Sequence, residues 1–60
     1  MYNYAIKSPN GIILGFTISS SSLTSMVKIE DVKNERWQAL CVQGYRVVMV
    51  SITEVHEVQI

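Results

Sequence analysis

Sixty residues contain one cysteine, one proline, one histidine and one tryptophan, and five basic side chains are cancelled by five acidic ones. Each shortage excludes something. Cys41 has no partner for an intramolecular disulfide, and its solitary use suits a reducing compartment. With His56 as the only histidine, one chain cannot assemble the Cys/His sets of a structural zinc site, so neither a metal nor another cofactor is expected. Zero net charge supplies no global field toward nucleic acid or an anionic membrane, and it favours self-association. No apolar run approaches the roughly 18 residues of a transmembrane helix, and no basic-then-apolar segment marks a signal peptide, so a cytoplasmic protein without membrane contact is expected. Gly11, Gly15 and Gly44 are too dispersed for a phosphate-binding loop and read as turn, strand and helix cap.

What the chain has in quantity is apolar side chain, 48% of residues, which excludes a disordered segment. A chain of this length makes one domain and buries only about 60% of its unfolded surface. Without disulfide or metal, its thin core calls for tight packing or oligomerisation.

The clearest local signal is Ser8-Pro9-Asn10-Gly11 between two alternating segments. Pro9 presets φ, Asn10 tolerates the second turn position, and Gly11 can adopt the left-handed conformation of a type I turn with a G1 bulge. Pairing Ser8 with Ile12 places Ile6 opposite Leu14, Tyr4 opposite Phe16 and Tyr2 opposite Ile18 on one apolar face. The other face pairs Lys7 with Ile13, Ala5 with Gly15 and Asn3 with Thr17.

The serine run Ser19 to Ser22 reads as a loop. A helix follows, placed near 29–43 although Leu23, Met26 and Val27 could begin it early or Met26 to Ile29 form a short extended segment. Glu30 and Asp31 stand near its start, Trp37, Leu40 and Cys41 form its apolar stripe, and Gly44 lies just past its end. From Tyr45 the β-branched run predicts a third strand, with Val48, Val50 and Ile52 facing the hairpin's core. The predicted fold is α+β, a two-layer β-β-α-β domain with a three-stranded antiparallel sheet and one helix on one face. Its parts are a hairpin over 2–19, a loop over 19–28, a helix over about 29–43, a strand over 45–53 and a tail over 54–60.

No residue set carries chemistry. Serines with Asp31 and His56 lack the defined geometry of a triad, and Glu54 with Glu57 reads as solvated charge. Cys41 suits packing better than nucleophilic work. Nucleic-acid binding is the rival reading, through Tyr2, Tyr4 and Phe16 as stacking groups and Lys7, Lys28, Lys33, Arg36 and Arg46 as phosphate contacts. The absent basic patch argues against it, and those aromatics share the predicted core face.

One helix cannot cover both sheet faces, which leaves Ile13, Tyr45, Val47 and Met49 as a candidate interface for a homodimer, made by face-to-face sheet packing or by edge pairing through the third strand and the tail. The functional expectation is a small non-catalytic protein that binds a protein partner. In size such a chain resembles the inhibitors and accessory proteins of bacteriophages and other mobile elements, an analogy of size alone.

Overall fold

Pro9, Asn10 and Gly11 reverse the chain between strands β1 (Tyr2–Lys7) and β2 (Ile13–Ser19) in a computed structural model that describes residues 2–51. The Gly11 N–H donates to the Ser8 carbonyl at 2.9 Å and the Ser8 N–H to the Ile12 carbonyl at 2.8 Å. Gly11 has φ +84°, the left-handed value this bulged turn requires.

The expected register holds near the turn, where Lys7 faces Ile13 and Ile6 faces Leu14. It then breaks. Tyr4 faces Ser19 rather than Phe16, so the expected Tyr2–Ile18 pair does not form and β2 bulges between the two matched regions. Thr17 explains the break: its hydroxyl accepts from the Ile6 N–H at 2.8 Å and donates to the Leu14 carbonyl at 2.6 Å. Because Ser8 and Ile12 bond directly, the period of an antiparallel ladder would bond the Ile6 N–H to the Leu14 carbonyl. The threonine hydroxyl is inserted into that bond.

Strand β3 (Arg46–Ser51) lies on the other side of β1, giving the antiparallel order β2-β1-β3. Ile52 and Thr53 of the expected strand, and the tail 54–60, lie outside the described residues. The phase of β3 is the reverse of the expected one. Val47 faces Ile6 and packs against the core, and Tyr45 is buried beside Leu40, whereas Val48 faces Ala5 on the other side of the sheet. Apolar residues occupy both phases of this strand, so alternation alone cannot choose its inner face. The choice falls to the preceding turn, where the Tyr45 N–H donates to the Leu40 carbonyl at 3.1 Å and draws Tyr45 under the helices.

Two helices stand where one was expected, α1 (Ser22–Lys33) and α2 (Trp37–Gln43). The first begins seven residues before the expected 29 because Ser21 caps it, its hydroxyl accepting from the Thr24 N–H. The serine run is therefore a short entry and a cap instead of a loop reaching to 28. Asn34 ends α1 in the left-handed conformation, with φ 57° and its N–H on the Glu30 carbonyl. Glu30 and Asp31 accordingly sit in the later turns of α1, not at its start. Gly44 ends α2 as expected, with φ 109°.

Both helices pack on the Ile6 face of the sheet. Ile6, Ile29, Leu40 and Tyr45 form the buried centre, joined by Leu14, Met26, Trp37 and Val47. Ala5, on the opposite face, is also fully buried, so that face is not bare. The fold is a three-stranded antiparallel α+β domain with a helical layer. No helix among the described residues is long and apolar enough to cross a membrane.

Candidate functional site

The four expected interface residues do not form one patch. Tyr45 is 8% exposed and Val47 packs beside Ile6, so both belong to the core. Ile13 and Met49 remain about half exposed or more, but their strand pairings put them on opposite faces: Ile13 is level with Lys7, and Met49 with Tyr4. The expected aromatic stripe is also dispersed. Tyr4 is partly buried, while Tyr2 and Phe16 are exposed, because the bulge carries Phe16 out of register.

Sequence reading missed an open groove of about 640 Å³ at the joint between α1 and α2, lined by Glu30, Asp31, Glu35, Arg36 and Trp37 among others. Two of its carboxylates are engaged in structure. Glu30 Oε2 accepts the Trp37 N–H at 2.7 Å, serving the first turn of α2, and Glu35 Oε2 accepts from Gln43 Nε2 at 2.6 Å. Only the left-handed turn at Asn34 brings these groups together, and the sequence signals that turn by nothing stronger than an asparagine.

Buried hydroxyls are likewise occupied. Ser25, fully buried on α1, donates toward the Thr17 carbonyl at 2.7 Å, with the Tyr4 carbonyl at 3.1 Å and the Ser21 carbonyl at 3.3 Å sharing the same proton. It ties α1 to both strands at the bulge. Cys41 is partly buried and unbonded to sulfur. Among the described residues no three His, Cys, Asp or Glu side chains stand together as a metal site. Glu54, His56 and Glu57 lie outside the described residues.

The cations are scattered. Lys28 Nζ donates to the Ile18 carbonyl at 3.2 Å, Lys33 sits 5.8 Å from the centre of the Tyr45 ring, and Arg36 lines the acidic groove. Lys7 and Arg46 adjoin as a cross-strand pair.

The two edges of the sheet differ in kind. Along β2 the bulge interrupts the ladder, and Lys28 occupies one carbonyl. Along β3 the sequence Arg46-Val47-Val48-Met49-Val50-Ser51 has one charge, at its start, and no proline. Even-numbered β1 residues bond toward β2, as Ser8 does beyond the strand end, so Asn3, Ala5 and Lys7 bond toward Val50, Val48 and Arg46. The N–H and C=O groups of Val47, Met49 and Ser51 therefore point outward, and among the described residues no strand pairs with them. Compared with protein-family models, curated proteins and solved structures, the chain finds no match.

Proposed function

We propose that this chain is a small non-catalytic binding protein that acts through protein–protein contacts in a reducing, cytoplasmic setting and assembles as a homodimer. The observation that carries the reading is exposed apolar side chain on the hairpin: Ile12, Ile13 and Phe16 are each about half exposed within one short stretch. A regulatory protein of this size needs no pocket. It can cover a partner's surface with such a stretch, as an inhibitor or accessory subunit does. Support for a non-catalytic role comes from the internal partners of Thr17, Ser25, Glu30 and Glu35. The scatter of the lysines and arginines weighs against a phosphate-tracking surface.

Affinity capture on the immobilised chain tests the reading, with and without nuclease and with elution at rising salt. A partner that survives nuclease and stays bound at about 1 M salt, where charges are screened beyond ~3 Å, is the expected result. Retention lost to nuclease, or falling steeply with salt as counterion release demands, would replace the proposal with nucleic-acid binding.

A further inference from the structure

We infer that the outer edge of β3 is the self-association surface, and that its occupant is the β3 strand of a second copy, running antiparallel about a two-fold axis at Met49. This rests on the reading of the chain as a binding protein that dimerises, and it names the surface.

The outward groups belong to alternate residues, Val47, Met49 and Ser51. A two-fold axis at Met49 pairs Met49 with its own copy and Val47 with Ser51 of the copy, so all the outward N–H and C=O groups find partners. An axis at Val48 pairs only Val47 with Met49 and leaves Ser51 out. The Met49 register also avoids like charges. Arg46 lies opposite a position beyond Ser51 of the copy, and no other charge lies on the strand.

The alternative occupant within the chain is a return of the segment after Ser51 along β3. Such a return would fill the edge within one chain and leave the wild type monomeric, which the mass in solution distinguishes. The β2 edge is interrupted by its bulge and by Lys28, which leaves β3 as the regular edge. Met49, 60% exposed, would lie beside its own copy across the axis and lose contact with water.

The outward direction of the Met49 N–H supplies a selective probe. Met49→Pro removes a donor that β1 does not use, and proline is tolerated on strand edges where the missing N–H faces outward. Light scattering on the full chain over a concentration range should give a mass twice that of the 6.8 kDa chain for the wild type. Met49→Pro should associate at least about ten-fold more weakly while keeping its circular dichroism spectrum. Should Met49→Pro fail to fold, Met49→Lys and Met49→Glu decide. Each alone should be weakened by like-charge contact across the axis, and an equimolar mixture should recover the dimer.

A monomeric wild type, a folded Met49→Pro that dimerises as well as the wild type, or single charge variants that dimerise undisturbed would each overturn the inference. So would singly weakened charge variants whose mixture fails to pair. Such failure leaves the protein-binding reading to the capture experiment, whose nuclease and salt arms do not depend on β3 self-pairing.

Discussion

Ile6 donates its backbone N–H to the side chain of Thr17, not to a backbone carbonyl, at 2.8 Å. Both residues are fully buried, so the bond is screened from water and neither group has solvent to fall back on. Thr17→Val keeps the shape and removes the hydroxyl, leaving the Ile6 N–H without this acceptor and the Leu14 carbonyl without this donor. The expected cost is about 2–3 kcal/mol, a large part of the ~3–9 kcal/mol that sixty residues sustain. Thr17→Ser should lose only about 1 kcal/mol, for the missing methyl. Urea midpoints at unchanged slope measure both; equal losses would remove the hydroxyl from the account.

Gly44 is held by two constraints that mutation can separate. Its φ of 109° disfavours any side chain, and a Cβ there would stand 3.2 Å from Pro9 Cβ, where the hairpin turn meets the end of α2. Gly44→Ala should cost about 1–2 kcal/mol for the backbone alone, with the proline contact adding to it. In a Pro9→Ala background the contact part should shrink and the backbone part persist. A double-mutant cycle by thermal unfolding reads the difference; strict additivity would mean that Pro9 yields without cost.

Glu30 joins the helices by accepting the Trp37 N–H. Glu30→Ala should destabilise the domain by about 1–2 kcal/mol, the usual cost of losing a side-chain acceptor at a helix start. Since Trp37 is the only tryptophan, its emission reports the joint directly. A red shift before global unfolding is expected in Glu30→Ala, and Glu30→Gln, which retains a carbonyl acceptor, should show a smaller one. An unchanged emission in Glu30→Ala would mean that packing alone holds α2.

Val47→Glu separates core from surface on the third strand. With Val47 beside Ile6 and packed against the core, a carboxylate there should cost about 3 kcal/mol or more and abolish the cooperative unfolding transition. Retained sheet and helix signals by circular dichroism would return Val47 to the outer face. Met49, paired with Tyr4 but exposed, accepts charge without that penalty.

The legible parts of this fold are those written within a few residues. Pro9-Asn10-Gly11 predicts its turn and the first pairs beside it, and Gly44 its helix end, because each depends on local φ preferences. The bulge was not legible. It depends on a hydroxyl reaching Ile6 from Thr17, a distant position whose alternation merely suggests a polar outer face. The break at Asn34 competes with a run of good helix formers, and only the packing of Leu40 and Trp37 of α2 into the core with Ile29 and Tyr45 favours it. For β3, apolar residues in both phases made the inner face a matter of tertiary pairing, which moved Tyr45 and Val47 from the candidate interface into the core. Edge pairing through the third strand was an expected route to a dimer, but which side of β3 is open follows only from the central place of β1.

That central place of β1 sets the order in which the chain can complete itself. Made before both of its partners, β1 bonds on one side to a hairpin strand available at once, and on the other to β3, near the far end of the described residues. Synthesis at about 5–20 residues per second leaves the inner edge of β1 waiting for seconds, open to any extended segment nearby. The hairpin can therefore form early while the sheet closes late, and the loop-closure entropy of β1–β3 pairing falls on the final step. Premature termination before Arg46 would yield a hairpin and helices with β1 still open at its edge, a species suited to aggregation and to clearance by proteases.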